Sequence, residues 1–248
     1  MERAPKWERR IEPPGAPSPE SGSWRDRRIL LAVLVGAGGT FRLATDVTVV
    51  PEAGRSSFRV AVLDGSTTTV IAESELPVPP LAQGWEFRGS GIWVDHVCED
   101  PFVHWSFGLE AFALQIDDPV ELLGTGYGHR VPLGWELDFE AVGELTATGD
   151  GGPLTDAGGG YRQLGRLHGV LLGSGDEIDV EGPAVSVHTW GPFHPSIVDL
   201  PAAGLAGPGA PALRAAGPAL AEVALPGVDD VWWVEGNSGV TARGELLT

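Results

Sequence analysis

The chain has 248 residues, with 34 acidic side chains against 16 basic ones and a formal charge of −18. That balance argues against a nucleic-acid partner, because such binding rests on Lys and Arg displacing counterions, and it disfavours anionic membrane surfaces for the same reason. Cys98 is the single cysteine, which excludes an intrachain disulfide and points to a reducing, cytoplasmic setting.

Residues 1–26 include Glu12-Pro13-Pro14-Gly15-Ala16-Pro17-Ser18-Pro19, which has no apolar period, so a flexible tail is expected there. The run 29–35 is the longest apolar stretch. It falls far short of the roughly 20 residues that span a bilayer, and a polar, Pro-rich leader before it is the wrong setting for a secretory signal. No membrane insertion is expected. Runs rich in β-branched residues at 29–35, 45–50, 57–63 and 68–73 read as strands separated by Gly, Pro or Asp64-Gly65, the clearest hairpin turn.

A second group follows at 91–97, 102–109 and 111–116. In it Val103, Trp105, Phe107 and Leu109 alternate with His104, Ser106 and Gly108. Next, Trp135, Leu137, Phe139 and Ala141 alternate with Glu136, Asp138 and Glu140, a half-buried strand whose carboxylates face solvent. Strands continue at 161–173, 176–180 and 184–190, then at 231–235 and 240–247, beyond a stretch rich in Ala, Pro and Gly. Many short strands with almost no amphipathic helix give an all-β sandwich or barrel.

Several motifs fail on inspection. Gly36-Ala37-Gly38-Gly39-Thr40-Phe41 has Phe41 where a dinucleotide-binding turn needs its third glycine, and a strand pattern follows where a helix is required. No serine has the glycines of a nucleophile elbow. Cys98 and His96 share a strand face, the one local arrangement that could make a thiolate pair. The histidines show no local metal-ligand spacing, so neither metal nor cofactor is expected.

Tyr161-Arg162-Gln163-Leu164-Gly165-Arg166-Leu167-His168-Gly169, then Gly182, then His188-Thr189-Trp190-Gly191 resemble the carotenoid 1,2-hydratase (hydroxyneurosporene synthase) and AttH-like group. Glu99-Asp100-Pro101-Phe102-Val103-His104-Trp105 is similar to an upstream element of the same group, and residues 131–139 sit where it places another strand. The resemblance implies lipocalin-like (calycin-type) antiparallel β-barrels packed as a pair around an apolar cavity. The chain then divides into a tail at 1–26, a first barrel at 27–128 and a second at 129–248 carrying an Ala/Pro/Gly-rich insertion at 199–222. Val187 stands where the group has an acidic residue and Thr189 where it has Ser, so a carboxylate orienting His188 would have to come from elsewhere; Asp176, Glu177 and Asp179 are the nearby candidates.

Within such a cavity, protonating an alkene takes a carboxylic acid or imidazolium in a low-dielectric pocket, and aromatic faces stabilise the cation that follows. The expected acid is His188. The expected substrate-binding residues are Trp190, Trp105, Trp135, Trp93 and Tyr161. Three functions remain open at this point. One is an enzyme acting on an isoprenoid or polyketide-like molecule by acid-assisted hydration, isomerisation or cyclisation; the second is a non-catalytic lipocalin-like protein binding a hydrophobic small molecule; the third is a structural or interaction protein whose barrel is filled by side chains.

Overall fold

The structure is a computed structural model describing residues 8–10, 24–64, 67–79, 84–116, 128–147, 154–173, 175–192, 220–222 and 232–234. Alternating apolar and polar residues produce strands throughout. They are β1 Trp24–Gly36, β2 Gly39–Val50, β3 Arg55–Asp64, β4 Thr67–Pro77, β5 Trp85–Gly89, β6 Ile92–Asp100 and β7 His104–Ile116, then β8 His129–Ala141, β9 Thr146–Ala147, β10 Gly159–Gly173, β11 Asp176–Pro192, β12 Leu220–Glu222 and β13 Trp232–Val234. Among the described residues there is no α-helix, only a 3-10 turn at Pro51–Ala53.

Strands β1 to β4 form an antiparallel meander. The end of β4 pairs with the end of β7 from Thr68↔Ile116 to Val70↔Leu114. The ring then runs through β8, β10 and β11, and β11 returns to β1, closing an eight-stranded antiparallel barrel. The β5–β6 hairpin pairs along the first part of β7 and so lies between β4 and β7. β12 and β13 pair with each other in a separate two-stranded sheet.

The all-β antiparallel barrel expected from the sequence is present, but its division differs. β7 pairs with β8 and β1 with β11, so strands on both sides of residue 128 build one barrel among the described residues instead of a pair. Two long strands account for part of the difference. β7 spans the two runs read at 102–109 and 111–116, and β11 spans those at 176–180 and 184–190, because Gly182 and Pro183 lie inside a continuous strand. The run at 240–247 and most of 199–222 lie outside the described residues, as does Gly65 of the expected Asp64-Gly65 turn. Gly36 pairs with Gly39, so the rejected nucleotide turn is a two-residue hairpin between β1 and β2.

Gly182 is required by close approach: a Cβ there would lie 1.9 Å from the Val33 carbonyl oxygen of β1. The barrel interior is packed with side chains. Leu30, Leu34, Phe58, Phe87, Trp135 and Phe139 are buried within one apolar cluster, and each such side chain contributes roughly 1.5–3 kcal/mol. Residues 24–26, assigned above to the tail, begin β1, and Glu8 and Arg10 of the same segment are buried as well. Apolar period is a poor guide to this segment because its contacts are polar.

Candidate functional site

Where β1 begins and β11 ends, the inward-facing rows of the barrel change from apolar to polar. Antiparallel register sets Arg28 opposite His188, His188 opposite Tyr161, and Asp26 opposite Trp190. Asp26, Arg28 and His188 are fully buried. His188 Nε2 lies 2.7 Å from Asp26 Oδ1, and His188 Nδ1 lies 3.0 Å from Arg28 Nη2. Arginine has donors only, so Nδ1 must accept and the ring proton sits on Nε2, which donates to Asp26 Oδ1.

Glu8 enters the same end of the barrel. Its carboxyl group accepts from Trp105 Nε1 at 2.9 Å and from the Tyr161 hydroxyl, and its main-chain carbonyl accepts from Arg28 Nη2 at 3.2 Å. Neighbouring residues anchor the segment: Arg9 donates to the Cys98 carbonyl at 3.3 Å, and Arg10 pairs with Asp156 at 3.0 Å. The Arg28 guanidinium carbon sits 3.5 Å from the centroid of the Trp105 ring, a desolvated cation–π contact.

Burial holds the Asp26 carboxyl well above the usual carboxylate range, over the opposing pull of Arg28 and Arg10. Burial, reinforced by the Arg28 charge, holds His188 well below the usual imidazole range. Oδ1 accepts from His188, while Oδ2 has no hydrogen-bond partner among the described residues and is the atom that would carry a proton on Asp26. The arrangement is an imidazole donating to a buried carboxyl whose affinity for a proton is raised. Burial likewise raises the Tyr161 phenol.

No protein-family model and no curated protein matches the chain. Among solved structures it is similar to a crystal structure of a putative AttH from Nitrosomonas europaea, at 14% identity and a TM-score of 0.45, over 75% of this chain and 59% of that one. The chain thus spans less than two thirds of that protein's length. The barrel described above stands on its own strand pairing.

Four of the residues singled out in the sequence converge on this end. The His188 ring centroid lies 5.0 Å from that of Trp190 and 5.7 Å from that of Tyr161, while Trp105 binds Glu8. Trp135 also points inward, but it stands opposite Leu109 and Leu171 in the apolar core, away from the polar cluster. Trp93 is on the outer face, where its Nε1 donates to Glu86 at 3.2 Å; the alternate residues Ile92, Val94, His96 and Cys98 take the interior. The carboxylate beside His188 is Asp26, 162 positions away, whereas Asp176 and Glu177 sit at the opposite end, next to the β10–β11 turn.

Asp26, Arg28, Glu8 and Trp85 are the participants that sequence reasoning missed. Trp85 stands edge-on to His188, with ring centroids 5.9 Å apart. The available signal was the alternation of Trp24, Asp26, Arg28 and Leu30, which continues the inward face of β1 five residues ahead of its apolar run. His96 is inward too, between Phe107 and Phe58, with neither ring nitrogen hydrogen-bonded among the described residues and its pKa lowered to about 3 by burial and then by Arg28. Cys98 is raised to about 11, chiefly by burial, so its pair with His96 is a thiol beside a neutral ring.

Asp138 faces outward as expected, accepting from His104 and Ser106 at 2.9 Å each. Among the described residues no group of His, Cys, Asp and Glu is arranged to hold a metal, and no helix is long and apolar enough to cross a membrane. A surface groove of about 320 Å³, lined by Glu110, Leu133, Leu172 and Glu177 among others, lies toward the far end of the barrel, away from Asp26 and His188.

Proposed function

We propose that the protein acts on a hydrophobic small molecule of isoprenoid or polyketide-like kind at this barrel end, by acid-assisted hydration, isomerisation or cyclisation. The observation that supports this most is Oδ2 of Asp26, which has no hydrogen-bond partner among the described residues and belongs to a carboxyl whose pKa burial raises, within a shell of aromatic rings. Protonating an alkene takes an acid held protonated near neutral pH, which burial of a carboxyl supplies. Trp190, Tyr161, Trp85 and Trp105 surround the cluster, and each aromatic face stabilises a carbocation by about 0.5–2 kcal/mol.

In this reading Asp26 Oδ2 gives its proton to an alkene carbon. It recovers one from the water that adds, in a hydration, or from the adjacent carbon in an isomerisation or cyclisation. His188 is a positioning residue and not the acid, because its Nε2–H holds Asp26 and its Nδ1 faces an arginine. Residues 8–10 leave the barrel end to admit the substrate.

Hydration places a solvent proton on carbon, and isomerisation or cyclisation does so when the Asp26 proton exchanges with solvent between turnovers, so one assay covers them. A panel of acyclic isoprenoid alcohols and hydrocarbons is incubated with the protein in D2O and followed by mass spectrometry. Wild type is expected to incorporate deuterium, and Asp26→Asn to lose at least about 100-fold in rate, the lower range for a general acid. Incorporation that is unchanged in Asp26→Asn overturns the assignment. A probe that binds without incorporation supports the alternative, a non-catalytic binding protein.

A further inference from the structure

We propose that this barrel end is a carboxylate receptor, and that Glu8 is an internal stand-in for the carboxylate of an apolar monocarboxylic acid that displaces it. The proposal rests on the reading above that the barrel end takes a hydrophobic molecule, and it adds the ligand's head group.

Glu8 reaches donors 97 and 153 positions away in the chain, Trp105 Nε1 and the Tyr161 hydroxyl, both aimed at one fully buried carboxyl group. Indole N–H can only donate, so without an acceptor there Trp105 would be left unpaired. Arg28 carries more donors than this segment uses. Its Nη2 serves the Glu8 carbonyl and His188 Nδ1, while among the described residues Nε and Nη1 have no hydrogen-bond partner although the residue is only 1% exposed.

A buried guanidinium with unused N–H groups is costly, and its planar fork matches the two oxygens of a carboxylate. A ligand carboxylate replacing residues 8–10 would take the Trp105 and Tyr161 bonds and the spare Arg28 nitrogens together. Its apolar tail would meet Trp85 and Trp190. Glu8 fills part of that receptor, and the Arg10–Asp156 pair, half exposed on the Asp156 side, is the weak outer fastening of the segment.

The test uses the full chain, wild type and Glu8→Ala, with sodium octanoate and 1-octanol as probes in calorimetric titrations. Glu8→Ala should bind octanoate at least about ten-fold more tightly than wild type, because an intramolecular competitor acts at an effective millimolar concentration. It should also prefer octanoate to 1-octanol by a similar factor, a preference lost in Glu8→Ala/Arg28→Met. Acetate should raise the thermal midpoint of Glu8→Ala and not that of wild type, which reads the site even in a destabilised variant. Equal binding of octanoate and 1-octanol by Glu8→Ala overturns the receptor and leaves the hydrophobic site standing. No binding of either, with no acetate effect, overturns it as well, and Asp26-dependent deuterium incorporation then decides the catalytic reading separately.

Discussion

His96→Phe isolates a single buried imidazole. The ring is fully buried against Phe58 and Phe107, has no hydrogen-bond partner among the described residues, and has its pKa lowered to about 3. A folded pKa below the unfolded one means that the unfolded chain binds the proton first, so stability is full above about pH 6.5 and falls as pH drops toward the folded value. Between pH 7 and pH 4 this one group removes about 3 kcal/mol, from a folded pKa of about 3 against about 6.5 unfolded. Urea unfolding of wild type and His96→Phe at both pH values gives the difference directly. Contributions from His188 and the carboxylates are common to both proteins and cancel to the extent that the sites are independent. His96→Phe should lose about 3 kcal/mol less than wild type on acidification. Equal losses would show that His96 is hydrated or partnered, and would refute the dry interior assigned to this part of the barrel.

Two further variants probe the site and the fold. Tyr161→Phe removes one of the two side-chain donors to the Glu8 carboxyl; it should cost about 1–3 kcal/mol in unfolding free energy and make the chain near Glu8 more accessible to limited proteolysis. Gly182→Ala should cost about 2–3 kcal/mol or prevent folding, since its Cβ would press on the Val33 carbonyl oxygen at 1.9 Å; a thermal midpoint equal to that of wild type would show that β1 and β11 are less closely apposed.

Strand phase was legible where one face is plainly apolar. Trp135, Leu137 and Phe139 point inward with Asp138 outward, and His188 and Trp190 share the interior as two-residue spacing requires. Around Trp93 both faces carry apolar groups, so alternation could not tell Trp93 from Val94, and the smaller set Ile92, Val94, His96 and Cys98 took the interior. Asp26 was invisible as the partner of His188 because their meeting depends on barrel closure between β1 and β11, a contact across 162 positions that no local spacing encodes. Glu8 was missed for a different reason. Its segment is Pro-rich and lacks an apolar period, and what ties it to the barrel is a set of hydrogen bonds to Arg28, Trp105 and Tyr161.

The protonation state of Asp26 is the most direct test of the account. Infrared difference spectra of wild type and Asp26→Asn at pH 7, with carboxyl-labelled aspartate, report whether that carboxyl carries a proton. A protonated carboxyl band present in wild type and absent from Asp26→Asn is the expected result, given the burial and the free Oδ2. The band should also persist in His188→Phe, because burial and not the imidazole keeps the proton in place. An ionised Asp26 at pH 7 would contradict the account, leaving the pair an ion-paired structural element without an acid to donate.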